Sequence, residues 1–112
     1  MIKLYLASAY SDPIPEVVKE NYYNALNAAV DLYNLGYVVY SPIVHCHAMA
    51  NISPQLYEQP LAWWFEREKE FIDWCDILCV LKTSNYSKSK GIKGEMKYAK
   101  KIGKPIMFFP WR

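Results

Sequence analysis

No apolar run in these 112 residues approaches the roughly 18 to 20 that cross a bilayer, so a membrane-spanning protein is not expected. Cysteine is sparse. Cys46, Cys75 and Cys79 make an odd count, and the N-terminus reaches Ser11-Asp12-Pro13 too soon for a secretory h-region. A disulfide scaffold is therefore set aside, and a reduced, cytoplasmic protein with small buried thiols is expected. Histidine occurs only at His45 and His47. With no second Cys or His pair to complete the three or four ligands of zinc, no metal site is expected. The Gly-x4-Gly-Lys-Ser/Thr spacing of a phosphate-binding loop is missing. Linkers, internal repeats and low-complexity stretches are missing too, which excludes a disordered or repetitive chain.

What is present favours a core. Apolar residues make up 53% of the chain and aromatics 16%, with ten Tyr and four Trp, and the length suits one domain over residues 1–112. The net charge of +2 hides an asymmetry: residues 1–81 hold four basic and ten acidic residues, whereas 82–112 hold nine basic and one acidic. Either a solvated lysine-rich helix or a positive field over an anionic small molecule accounts for the basic half. The basic residues are not interleaved with aromatics in one segment, so a polymeric nucleic acid is not the expected partner.

Short apolar runs at 2–7, 37–40, 76–81 and 105–109 read as strands, the third as a continuous buried one. Between them, Val18, Tyr22, Leu26, Ala29, Val30 and Tyr33 recur at helical spacing, and Gly36 offers a stop. Pro60 opens a second helix running to about Trp74, and residues 91–102 form another, followed by Gly103. Residues 43–59 show no period and carry both histidines. Alternation of strand and helix predicts an α/β domain with a mainly parallel sheet, whose ligand lies at the carboxyl ends of the strands. Those ends fall at 8–12, 41–47, 82–91 and 110–112.

Glu95 is the only acid of the last 31 residues. On a helical wheel it falls within the apolar stripe of Ile92, Met96, Ala99 and Ile102, while Lys93, Lys97, Lys100 and Lys101 fall on the outer face. Helix N–H dipoles and positive surroundings are expected to keep it ionised, as attack on a sugar carbon requires. A capping role for the Glu is the alternative. Ser89-Lys90-Gly91 reads either as an anion site at a helix start or as an ordinary N-cap. His45 and His47 are expected on a loop over a binding cleft, with Tyr10 on the first strand-end loop. Of Glu66, Glu68, Glu70 and Asp73, one is expected to orient a substrate hydroxyl or protonate a leaving base. Trp63-Trp64-Phe65 reads as core or subunit contact.

Several stretches resemble the nucleoside 2-deoxyribosyltransferase superfamily. They are Tyr5-Leu6-Ala7-Ser8-Ala9-Tyr10-Ser11, Ser41-Pro42-Ile43 and Cys75-Asp76-Ile77-Leu78-Cys79-Val80-Leu81. The most specific is Ser89-x-Gly91-x3-Glu95 with Tyr98-Ala99 and Gly103-Lys104-Pro105-Ile106. Within the superfamily the chain is similar to short phage and bacterial members of unassigned function and to the 2'-deoxynucleoside 5'-monophosphate N-glycosidases. Two departures stand out: Glu68 occupies a position usually held by Asp, and Asn85-Tyr86 stands where relatives often have Gly-Trp.

The resemblance implies a flavodoxin-like three-layer sandwich with a four- to five-stranded, mainly parallel sheet. It implies cleavage or transfer at an N-glycosidic bond without a cofactor, Glu95 being the nucleophile and Glu68 the second catalytic acid. Ser89 and Gly91 match residues facing a 5'-phosphate, and Tyr5 and Ser8 match residues lining the base and sugar pocket. A nucleotide or nucleoside is thus the expected small-molecule partner. A non-catalytic nucleotide-binding or assembly protein on the same fold is the alternative. The resemblance also implies a homodimer or larger homo-oligomer. Because Trp63, Trp64 and Phe65 cannot all face one sheet and would form a patch with Tyr57 and Leu61, residues 57–74 are expected in the interface.

Overall fold

In the computed structural model, which describes residues 1–111, four strands form one sheet: β1 (Lys3–Ala7), β2 (Val38–Tyr40), β3 (Ile77–Lys82) and β4 (Ile106–Pro110). All neighbours pair in parallel, in the order β2-β1-β3-β4. Such pairing needs crossovers. These are supplied by α1 (Pro15–Asn34), by α2 (Pro42–Ile52), α3 (Pro54–Tyr57) and α4 (Leu61–Trp74) together, and by α5 (Lys90–Lys101). The order reverses between β1 and β3. Their carboxyl ends therefore diverge into a crevice, the place where open parallel sheets bind ligands.

Alternation along the two central strands builds the three layers. Leu4 and Leu6 of β1 with Cys79 and Leu81 of β3 pack against Ala28, Ala29 and Leu32 of α1. Tyr5 and Ala7, with Leu78 and Val80, face Ile72 of α4 and Ile92 and Ala99 of α5. Burying each such Leu or Ile contributes about 1.5–3 kcal/mol, so the two central strands anchor the domain. Gly36 and Gly103 adopt φ of 100° and 79° just beyond α1 and α5, a backbone region that other residues rarely enter, and so end both helices where the sequence predicts.

Two expectations are corrected. Residues 43–59 are mostly helical. Ser41 and Ser53 cap α2 and α3 through their hydroxyls, accepting from the N–H groups of Val44 and Leu56, and each is followed by a proline suited to the first turn. Only Pro42 of α2 is buried, which explains the missing period. The buried face of α1 is Asn21, Ala25, Ala28, Ala29 and Leu32, while Val30 and Tyr33 are exposed. Small alanines let the helix approach the sheet closely; of the predicted stripe Ala29 is buried, Val18, Tyr22 and Leu26 are half-buried, and Val30 and Tyr33 turn outward. Among the described residues no helix is long and apolar enough to cross a membrane.

Candidate active site

Tyr5 lies on β1 beneath the α4 and α5 layer, fully buried, and its hydroxyl donates a 2.5 Å hydrogen bond to Oε2 of Glu95. Glu95 stands one turn into α5 and is 4% exposed, beside Ile92 and Ala99 as the wheel predicts. Its ionisation is the opposite of the sequence expectation. Burial, with the charge of Glu68 adding to it, raises the carboxyl well above the ordinary carboxylate range, and the bond from Tyr5 only partly offsets this. The lysines explain the reversal: Lys93, Lys97, Lys100 and Lys101 are exposed on the far face, where water screens them.

Glu68 reaches in from α4, half-buried, and burial pushes its carboxyl up to about 7. Beside it opens a cavity of about 200 Å³ lined by Tyr40, Cys46, Trp63, Trp64, Glu68 and Phe71 among others. Tyr40 pairs in register with Tyr5 across β1 and β2, their ring centroids 5.7 Å apart. It stacks on Phe71 at 3.8 Å and shares a hydrogen bond with the Cys46 thiol. Burial raises both of these groups. His45 lines the same cavity from α2, its ring 5.5 Å from that of Tyr40.

At the other end of Glu95, Ser89 caps α5, its Oγ accepting from the N–H of Ile92 at 3.2 Å. The N-cap alternative for Ser89 therefore holds, and the hydroxyl proton is still available for a further bond. A Cβ at Gly91 would stand 3.7 Å from Ser89 Oγ and 4.0 Å from Glu95 Oε1, filling the space between the cap and the acid. Ser8, the first residue beyond β1, is 7% exposed, and its hydroxyl has no hydrogen-bond partner among the described residues.

The structure thus gathers Tyr5, Glu68, Glu95, Ser89 and Gly91, with His45 on the cavity wall. Tyr10 and His47 form a separate pair. The Tyr10 hydroxyl lies 2.6 Å from His47 Nδ1, and the imidazole stacks on Tyr22 at 4.0 Å, with Asn51 3.4 Å from Nε2. Both histidines sit on α2 rather than on a loop. The sequence reading missed Tyr40 and Cys46. A tyrosine ending the strand beside the one that carries Tyr5 was the available signal, and it becomes visible only once the register is known. Trp63 and Trp64 wall the cavity, and Phe65 packs instead on Gly94 and Tyr98 of α5. Among the described residues no three His, Cys, Asp or Glu side chains converge as metal ligands. Two interacting carboxyls with raised pKa, one of them lining an apolar cavity, are the equipment of nucleophilic and acid–base chemistry.

A four-stranded parallel sheet with a buried acid at its switch point defines the class, an α/β protein with the fold of the nucleoside 2-deoxyribosyltransferases. A solved 2-deoxyribosyltransferase from the psychrotolerant bacterium Bacillus psychrosaccharolyticus matches 96% of this chain and 72% of its own, at 28% identity and a TM-score of 0.66. The chain itself belongs to the family described as a domain of unknown function (DUF1937), which it matches over residues 2–110. No curated protein matches it.

Proposed function

We propose that this chain cleaves or transfers the N-glycosidic bond of a (deoxy)nucleoside 5'-monophosphate through a covalent glycosyl intermediate on Glu95. The observation that carries this reading is the buried Glu95 carboxyl, aligned by the Tyr5 hydroxyl and facing the gap left by Gly91. A buried carboxyl costs stability that the single bond from Tyr5 only partly offsets, as suits a group kept for chemistry. Similarity to a 2-deoxyribosyltransferase supports the reaction class.

The two acids together hold one proton in the active form. With the proton on Glu68, the Glu95 carboxylate attacks the anomeric carbon. The bond to the base breaks, its electron pair leaves with the base nitrogen, and Glu68 donates its proton to the base. Positive charge developing on the sugar stabilises the Glu95 carboxylate at that moment, offsetting the burial that raises its pKa. Water, or a second base, then attacks the same carbon, Glu68 takes back a proton and Glu95 is released. The cavity beside Glu68 accepts the base, and the orphaned Ser8 hydroxyl supplies a partner for the sugar.

The phosphate is assigned to Ser89 and the amino-terminal end of α5. The Ser89 hydroxyl proton, the helix dipole and the basic half of the chain all favour an anion there. A panel of nucleosides and 5'-monophosphates, with released base followed by chromatography, tests the reading. Base is expected from at least one monophosphate and more slowly from the matching nucleoside. Tight binding of monophosphates with no base released from any of them would identify a nucleotide-binding protein instead.

A further inference from the structure

We propose that Asn85 is a positioning residue: with Asn21 it clamps the loop after β1 to the start of α5, and so sets the width of the crevice in which Glu95 lies. The inference rests on the reading of Glu95 as the reacting acid, and its geometry stands apart from that reading. Asn21 projects from α1 and is 4% exposed. Its Nδ2 donates to the Tyr10 carbonyl at 2.9 Å, and its Oδ1 accepts from Asn85 Nδ2 at 3.3 Å. Asn85 Oδ1 in turn accepts from the Thr83 hydroxyl at 2.6 Å. Three side chains thus form one directional chain, donor to acceptor, from the end of β3 through α1 to the backbone of the β1 loop.

Asn85 is also tied forward in sequence. It precedes a single 3-10 turn, Tyr86–Lys88, and its carbonyl accepts from the N–H of Lys88. The carbonyl of Tyr86 accepts from the N–H of Ser89, the residue that caps α5. Two side-chain amides and one 3-10 turn therefore connect the Tyr10 loop to the Ser89 cap. Buried hydrogen bonds of this kind are costly to leave half-made, because the abandoned partner stays desolvated. Asn85 itself is only half-buried and lines a groove of about 630 Å³ between α1 and the loop after β3, so shortening it removes no core packing.

The test compares the wild type with Asn85→Ala and with the isosteric Asn85→Asp, which lacks the donor to Asn21. Amide hydrogen exchange is followed in residues 8–12 and 83–92, and kcat and KM for base release from a 5'-monophosphate are measured separately. Both variants are expected to exchange about tenfold faster in both segments, although the change lies in one. Their kcat is expected to drop about tenfold or more with KM little changed, since a shift of an ångström in a reacting pair is felt in the chemical step. Faster exchange confined to residues 83–92, or an unchanged kcat, would overturn the proposal. Should the wild type release no base, the glycosidic reading fails, and the exchange comparison alone decides the clamp.

Discussion

Glu68 and Glu95 differ from the chain's other acids in depth, not in type. An acid whose folded-state pKa lies above its unfolded value stabilises the fold below that unfolded value, 4.5 here, and loses the contribution as pH climbs to about 7 for Glu68. Glu68→Gln, neutral at every pH, is therefore expected to melt about 5 °C above the wild type at pH 8 and level with it near pH 4. Differential scanning calorimetry at both values checks this; a variant that melts lower at pH 8 would mean that the Glu68 carboxylate is stabilised in the fold. Base release is expected to decline above about pH 7, as Glu68 loses the proton it gives to the base. Helical spacing placed Glu95 on the correct face but not its ionisation, because a wheel reports direction and not distance from water. Tyr40 and Cys46 lay beyond sequence reasoning for a related cause: their partners come from elements whose register only the folded sheet defines.

At the scale of elements, α5 serves two ends at once. Ser89 ends the loop from β3 and caps the helix that carries Glu95, so under the proposed function one hydroxyl would act in both folding and binding. Ser89→Ala is expected to cost about 1 kcal/mol of stability through the lost cap. A further tenfold or greater loss is expected in kcat/KM for a 5'-monophosphate, with the free nucleoside affected much less, as suits a hydrogen bond to a charged group. Equal losses on both substrates would leave the cap as its only role. Short apolar runs made the four strands legible, Pro60 marked the start of α4 and the Ile92, Met96 and Ala99 stripe marked α5, and alternation with helices gave the parallel sheet. The helices α2 and α3 were hidden because a helix buried on no single face has no stripe to read. Their signals were the Ser41-Pro42 and Ser53-Pro54 pairs, capping chemistry rather than hydrophobic pattern. In α1 the predicted stripe followed size, whereas the sheet selected alanines that permit close approach.

Across the whole molecule, charge is divided along the chain. The acidic part of the chain contributes Glu68, and the basic part contributes the helix that carries Glu95 and the end of the site proposed for the phosphate. Among the described residues a single ion pair forms, Lys69 with Glu66, so the α5 lysines remain available to the solvent field. The KM for a monophosphate is accordingly expected to rise several-fold between low salt and about 0.5 M, as the Debye length shrinks; a KM indifferent to salt would remove the field from the explanation. Tyr57 and Leu61 are 73% and 54% exposed, and Phe71 and Trp74 further along α4 are partly exposed, apolar surface suited to a second copy. Light scattering is expected to give about twice 13.1 kDa or more, and a clean monomer would contradict an interface there.

Glu95→Gln tests the attack on the sugar most directly. The amide keeps the size of the buried carboxyl and its oxygen can still accept from the Tyr5 hydroxyl, so the fold is expected to survive. Base release from the best monophosphate, measured by chromatography on samples with matched melting curves, is expected to fall by about a thousandfold or more. A variant that releases base within a few-fold of the wild-type rate would show that Glu95 does not attack the sugar.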